Sequence, residues 1–221
     1  MRSRHLGPWV GLLLVAGVLA GCATPSTAET TPDASASGVP SITTTPTRTT
    51  PAPSPTATAV SPDPAEWVIS FDGVGPVVIG ATPDAEAAAA APVYTAEPPE
   101  SCPNPATTIL HSATNPTFWL KTTADQPDVV SLIAVGGDLP DEIRTAGSPR
   151  TAEGVGIGAT RDAVVAAYPN GTTDDSFPAR VTIGGVDSTG VDRFLVFQFS
   201  EDIVQTILVQ SDPAAVFEFC G

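Results

Sequence analysis

The chain has 221 residues, a formal net charge of −15 and 42% hydrophobic residues. This length fits one domain or two small ones, and it excludes a large multidomain enzyme. Binding to a phosphate backbone needs clustered Lys and Arg, but the chain has 9 basic residues against 24 acidic ones. We therefore expect no nucleic-acid partner.

Residues 1–21 have the organisation of a signal peptide. Arg2 and Arg4 precede an uncharged apolar run from Trp9 to Ala20, which is too short to cross a bilayer as a mature helix. The sequence Leu-Ala-Gly-Cys, which ends at Cys22, resembles the lipobox of bacterial lipoproteins. The resemblance implies that Cys22 carries the lipid and anchors the protein to the cell membrane, facing outward. The alternative is an ordinary secretory signal peptide with a chance Cys.

Residues 22–65 contain the lipidated Cys and a linker dominated by Pro, Thr, Ser and Ala. Such a composition provides almost no side chains for a core and predicts a disordered, extended segment. At about 3.1 Å per residue, its full extension reaches roughly 130 Å. The linker is therefore expected to hold the globular domain, residues 66–221, away from the bilayer.

A seven-residue string occurs twice in the globular domain, at 79–85 and at 157–163. The two copies differ only at the fifth position, where Pro83 corresponds to Arg161. In each copy a Gly permits a tight turn after a strand, and the following Thr is a suitable helix N-cap. The pattern predicts two short helices, and the residues that form the two joints are Gly80, Thr82, Gly158 and Thr160.

Short alternating segments follow each predicted helix. The predicted strands are 107–111, 117–122 and 129–135 after the first helix, and 180–183, 193–199 and 202–209 after the second. The predicted fold class is α+β, with helices on one face of antiparallel sheet. We expect two tandem units, about 67–137 and 150–221, each a short helix packed on an antiparallel sheet.

Once Cys22 is assigned to lipid, Cys102 and Cys220 form an even pair in an exported chain. This count predicts a disulfide between them, and two free thiols are the alternative. His111 is the only histidine of the globular domain, and the sequence contains no Cys-x-x-Cys pair. We therefore predict no metal site and no cofactor.

The repeated helix joint, the tandem units and the lipobox together resemble two groups of proteins. These are the β-lactamase inhibitory proteins and the small envelope lipoproteins of the outer-membrane assembly type. The resemblance covers about residues 67–219 in outline and only the two joints in sequence, and it implies a shared fold. The inhibitors hold one disulfide within each repeat, whereas a bond from Cys102 to Cys220 would join the two repeats.

No complete catalytic motif is found in the sequence. The adjacent carboxylates Asp174-Asp175 and Glu201-Asp202 are candidates for acid and base, but each pair lies in a predicted turn, where solvated Asp is common. They carry the alternative hypothesis, a hydrolase that acts on the cell wall.

We prefer the hypothesis of a noncatalytic binding lipoprotein, whose partner is an envelope protein or a wall polymer. Its candidate surface is a sheet face near the aromatic residues Phe118, Trp119, Phe194 and Phe197. For these four side chains themselves, however, we expect a place in the core more often than a place on the surface.

Overall fold

A computed structural model of the chain describes residues 61–91, 93–137, 147–214, 216 and 218–221. These residues all belong to one compact unit, Pro55–Gly221. The predicted signal peptide, Cys22 and most of the predicted linker lie outside the described residues.

Two α-helices are found in the described residues, α1 at Pro83–Ala90 and α2 at Arg161–Ala167. Each begins directly after the threonine of its joint. The Thr82 hydroxyl accepts a hydrogen bond from the Ala85 amide at 3.2 Å, and the Thr160 hydroxyl accepts one from the Ala163 amide at 3.2 Å. An N-cap of this kind satisfies one of the amides that the first turn leaves unpaired.

Twelve strands are found in the same residues, and they form two sheets. The strands are β1 Val68–Ile69, β2 Gly73–Val74, β3 Val77–Val78, β4 Thr95–Ala96, β5 Thr107–His111, β6 Thr117–Lys121, β7 Leu132–Gly136, β8 Arg150–Thr151, β9 Thr172–Asp174, β10 Ala179–Val186, β11 Asp192–Ser200 and β12 Ile203–Gln210. The small sheet has the order β3-β2-β1-β8, and β1 and β8 are parallel. The large sheet has the order β4-β5-β6-β7-β12-β11-β10-β9, and all of its pairs are antiparallel.

The strand order of the large sheet is symmetric about its centre. Strands β4–β7 follow α1 and strands β9–β12 follow α2, and the two sets meet where β7 pairs with β12. The predicted α+β class is therefore confirmed. The number of strands is a correction, because four strands of the large sheet rather than three follow each helix, and the small sheet was not predicted.

The main core lies on one face of the large sheet. Alternate residues of the central strands, among them Phe118 and Phe197, are fully buried there with residues of both helices and of the small sheet. Near one end of this core, Tyr94 packs edge-on against Phe118 at 4.9 Å and lies 5.8 Å from Trp67. Alternation along a strand places every second side chain on this face, so one sheet presents two different surfaces.

A disulfide joins Cys102 to Cys220, with their Cα atoms 5.0 Å apart. It connects the segment after α1 to the C-terminal end of the chain, as the even cysteine count predicted. Closing so long a loop stabilises the folded state mainly by constraining the unfolded chain.

Candidate functional site

The second face of the large sheet points away from the two helices, and we call it the open face. Its residues alternate with the core residues along each strand. The apolar residues at its centre are Trp119, Leu132, Ala134, Phe194, Val196 and Leu208. Four of them are buried, so another part of the chain covers them.

The covering segment is the C-terminal end, residues 211–221, which we call the strap. Val216 and Phe219 pack against the apolar centre of the open face, and the Phe219 ring stacks on Trp119 with centroids 5.0 Å apart. At the far end of the strap, Cys220 is bonded to Cys102. The strap therefore crosses the strands of the sheet and does not extend the sheet at an edge.

Four side chains donate hydrogen bonds to main-chain carbonyls of the strap. These are Gln198 Nε2 to Val216 (2.6 Å), Gln210 Nε2 to Ala214 (2.9 Å), Asn104 Nδ2 to Phe219 (3.2 Å) and Thr107 Oγ1 to Phe219 (2.7 Å). Gln198 and Gln210 are 5% and 2% exposed. The sequence reasoning missed both, although Gln198 interrupts the apolar run of β11 and could have been recognised by that interruption; Gln210, at the end of β12, gives no such signal.

A groove of about 280 Å³ lies beside the strap, on the part of the open face that β9, β10 and β11 form. Its lining includes Asp174, Arg180, Thr182, Gly184, Phe194 and the strap residue Pro213. This combination of one aromatic ring, a glycine and a few polar groups is typical of ligand sites. We take this groove as the candidate functional site.

The charges in the groove are paired. Asp174 forms an ion pair with Arg180 and accepts hydrogen bonds from the Ser176 hydroxyl and amide at 2.6 and 2.8 Å. The hydrogen bonds from Ser176, together with Arg180, hold the pKa of Asp174 below its ordinary value. The Asp174 carboxylate therefore stays charged and acts as a hydrogen-bond acceptor rather than a proton donor.

Apolar side chains remain exposed at both ends of β10. Phe177 lies in the loop between β9 and β10 and is 87% exposed, while Val186 and Val191 at the other end are 58% and 47% exposed. Apolar residues exposed around a groove are a better indicator of an interaction surface than single exposed residues elsewhere.

The four aromatic residues proposed from the sequence divide between the two faces. Phe118 and Phe197 are fully buried in the core, the place expected more often for these side chains, so they are not part of the candidate surface. Trp119 and Phe194 lie on the open face, where Trp119 contacts the strap and Phe194 lines the groove. The division follows from the alternation of neighbouring residues in a strand.

The two acidic turns are connected through Arg161, the first residue of α2. Its guanidinium lies 2.5 Å from the Asp175 carboxylate and 2.8 Å from the Asp202 carboxylate, and it lies over the Phe199 ring. The hydrogen bond to Asp175 and the charge of Asp202 raise the pKa of Arg161. Sequence reasoning missed this connection, although Arg161 occupies the one position at which the two joint strings differ.

The turn between β11 and β12 carries Glu201 and Asp202 at φ values of 52° and 62°. Both values lie in the left-handed region that tight hairpin turns require. The carboxylates at this turn therefore lie where the chain reverses direction, and Asp202 is tied to Arg161.

The glycines and threonines of the two joints have structural roles in the described fold. Gly80 and Gly158 have φ values of 97° and 83°, which favour glycine. The Gly80 amide donates to the Val130 carbonyl, and the Gly158 amide donates to the Val204 carbonyl, both at 2.9 Å. These bonds connect the start of α1 to the segment just before β7 and the start of α2 to β12.

The single histidine of the globular domain lies beside one carboxylate. His111 Nδ1 lies 3.8 Å from the Glu97 carboxylate. In the described residues no three His, Cys, Asp or Glu side chains are grouped so that they could hold a metal ion. The same residues include no helix that is long and apolar enough to cross a membrane.

No protein family, curated protein or solved structure matches this chain. The likeness to the inhibitory proteins and envelope lipoproteins therefore stays a prediction. A functional assignment has to be argued from the chemistry of the groove and of the open face.

Proposed function

We propose that this chain is a noncatalytic binding lipoprotein that binds an envelope protein through the groove. The observation that carries the proposal is the groove itself, which combines the Phe194 ring, the neighbouring Gly184 without a side chain and the paired charges of Asp174 and Arg180. A short stretch of a partner chain is of a size to enter a groove of about 280 Å³.

A protein partner fits the surroundings of the groove better than a wall polymer does. Phe177 is exposed in the loop between the groove residues Asp174 and Arg180, and Val186 and Val191 are exposed at the other end of β10. The central part of a protein interface is rich in aromatic residues and poor in unpaired charge. The aliphatic side chains Val186 and Val191 offer the hydroxyls and charges of a wall polymer neither a ring nor a polar group.

The paired carboxylates argue against the alternative of a wall hydrolase. Asp174 and Asp175 have separate arginine partners, Arg180 and Arg161, and Asp202 shares Arg161 with Asp175. A general acid needs a raised pKa, and the pKa of Asp174 is lowered.

The proposal includes a tether at Cys22 and a flexible linker that ends before the short 3-10 turn Pro64–Glu66, which would place the groove outside the membrane. Replacing Cys22 with Ser should release the protein into the medium or leave its signal peptide uncleaved. A Cys22→Ser protein that is processed normally and stays on the membrane would contradict the lipid anchor.

The proposal also includes two tandem units, about 67–137 and 150–221. It is supported by the matching bonds from Gly80 to Val130 and from Gly158 to Val204, and by the four strands of the large sheet that follow each helix. Each unit would contribute half of the large sheet, and the groove would belong to the second unit.

Photo-crosslinking in cells tests the site. A photoreactive residue at position 177 should give a defined adduct with one envelope protein. The matched control at position 165, which is exposed on α2 on the opposite side of the large sheet, should give none. Equal adducts at both positions, or none at 177, would contradict binding at the groove.

A turnover assay distinguishes the binding proposal from the hydrolase hypothesis. The purified protein should release no product from labelled wall polymers. Product release that a single substitution such as Asp175→Asn abolishes would replace the binding proposal by the hydrolase hypothesis.

A further inference from the structure

The strap makes two kinds of contact with the open face, and both are typical of a bound peptide. Its side chains Val216 and Phe219 fill apolar positions, and its main-chain carbonyls accept hydrogen bonds from side chains of the fold. Grooves that bind extended peptides combine these two features, because side-chain positions give specificity and main-chain bonds give affinity.

The donors on the open face are suited to any extended chain. Gln198 and Gln210 are almost fully buried, and their amide groups donate to carbonyls of the strap. A buried amide donor without a partner is destabilising, so the face is complete only when a main chain lies across it. Main-chain carbonyls are present in every polypeptide, and these bonds are therefore not specific to the strap.

The strap does not fill the face that it covers. A cleft of about 240 Å³ lies alongside it, between the ends of β6, β7 and β12 and strap residues Ala214 and Val216. Ala214 presents only a methyl group to this space. The face therefore has room for larger side chains than the strap supplies.

Two covalent connections hold the strap in place. One is its continuation from β12 at Gln210, and the other is the bond between Cys220 and Cys102. Without the disulfide, the strap would be an intramolecular ligand attached at one end, held by a few hydrogen bonds and two apolar side chains.

We propose that the open face under the strap is a binding site for an extended protein segment, that the strap is its built-in occupant, and that reduction of Cys102–Cys220 makes the site accessible. The partner segment presents a β-branched residue and, three positions later, an aromatic residue, as Val216 and Phe219 do. This inference concerns the face under the strap, which shares Phe194 and Pro213 with the groove, and it does not rest on the proposed function.

The opening step is thiol–disulfide exchange with an external dithiol. One thiolate of the dithiol attacks a sulfur of the Cys102–Cys220 bond, forms a mixed disulfide with one cysteine and releases the other as a thiolate. The second thiol of the dithiol then attacks the mixed disulfide and releases the remaining cysteine. Two protein thiols and one oxidised dithiol result, so the electrons balance. The reduced strap keeps its attachment at Gln210, and its effective concentration at the face is of the order of millimolar. A competing segment must overcome this local concentration.

Hydrogen exchange tests the opening in the wild-type chain. Treatment with a dithiol should increase the exchange rate of strap residues 214–220 at least tenfold and leave β12 and β7 protected. Unchanged protection of the strap would overturn the proposal. An equal increase throughout β12 and β7 would also overturn it, because the bond would then hold the whole fold rather than the strap.

Peptide binding tests the site. The probe is a labelled peptide with the sequence of residues 212–219. The receptors are the oxidised wild type, the dithiol-treated wild type, and a chain with Cys102→Ser, Cys220→Ser, Val216→Ser and Phe219→Ser, which also weakens the hold of its own strap.

The peptide should bind the substituted chain at least tenfold more tightly than the oxidised wild type, with the dithiol-treated chain between them. A control peptide with Ser at the positions of Val216 and Phe219 should lose this binding. Equal affinity for all receptors, or binding that does not depend on these two side chains, would overturn the proposal. If the substituted chain does not fold, the comparison of oxidised and dithiol-treated wild type decides in the same way.

Discussion

The helices α1 and α2 begin with the same backbone arrangement and the same threonine cap, but they bury different side chains. Each has a glycine with positive φ, a threonine cap at 3.2 Å and a glycine amide bonded at 2.9 Å to a valine carbonyl. Four residues after the cap, however, α1 buries Glu86 and α2 buries Val164. A repeated string thus determines how a helix begins, while the neighbouring structure determines what the helix can bury.

The surroundings of each helix explain the difference. The Glu86 carboxylate accepts a hydrogen bond from the Val78 amide at 2.7 Å, in the strand just before the joint. Burial raises the pKa of Glu86, although this hydrogen bond opposes the shift. The buried Val164 belongs to the main core instead.

Placing the buried glutamate of α1 at the corresponding valine position of α2 should have the largest effect on stability. Val164→Glu places a carboxyl group in the apolar core, and we expect the free energy of unfolding to fall by about 3–5 kcal/mol. Urea unfolding measures the loss. Val165→Glu on the exposed side of α2 is the matched control and should change stability by about 0.5 kcal/mol or less. Similar losses for both variants would contradict the burial of position 164.

Removal of the caps should affect both helices alike. Thr82→Ala and Thr160→Ala each remove an acceptor for an amide of the first turn, with an expected loss of about 1 kcal/mol in thermal or urea unfolding. Serine at either position keeps the hydroxyl and should restore most of the stability. A loss at one helix and none at the other would show that the two joints are not equivalent.

A smaller effect is expected on the pH dependence of stability, because α1 buries a carboxyl group and α2 buries a valine. Since the folded-state pKa of Glu86 lies above its ordinary value of 4.5, the folded protein retains this proton to higher pH than the unfolded chain does. The contribution of Glu86 to stability therefore decreases as pH rises above 4.5.

Glu86→Gln keeps an acceptor for the Val78 amide and removes the proton equilibrium, so its stability should decline less between pH 4 and pH 7. Glu100→Gln, at an exposed glutamate, is the control and should decline as the wild type does. The prediction fails if the Glu86→Gln variant shows the full decline of the wild type.

The smallest effect is expected at the position where the two strings differ. Arg161→Ala removes ion pairs to Asp175 and Asp202, whose side chains are 80% and 74% exposed. Exposed ion pairs contribute little, so we expect a loss of about 0.3 kcal/mol, and less at high salt. Unfolding at low and high salt measures it. A loss as large as that of Thr160→Ala, independent of salt, would mean that Arg161 acts through its packing on Phe199 instead.

The sequence was most informative where its features are local. The span of β5, 107–111, agrees with its prediction, and the two joints contain the residues that a strand-to-helix turn requires. The cysteine count was sufficient for the disulfide because only one pairing remained after Cys22. Strands of two or three residues, such as β4 and β9, were missed because they are too short to show an alternating pattern.

The features that depend on distant contacts could not be read from the sequence. Alternation places Phe118 and Trp119 on opposite faces, but it does not tell which face the helices cover. The strap crosses strands that are far from it in the chain, and the groove exists partly because Pro213 lies beside Phe194. Such sites are defined by packing between remote segments, and no short pattern in this sequence encodes them.

The measurement that tests the central claim most directly is the affinity of the crosslinked envelope partner for two variants with one added arginine. Gly184→Arg fills the groove from a position where a Cβ meets nothing closer than 3.6 Å, and Val165→Arg places the same charge on α2. A protein that binds through the groove should lose at least tenfold in affinity with Gly184→Arg and keep its affinity with Val165→Arg. Unchanged binding by a folded Gly184→Arg protein would contradict the assignment of the groove as the functional site.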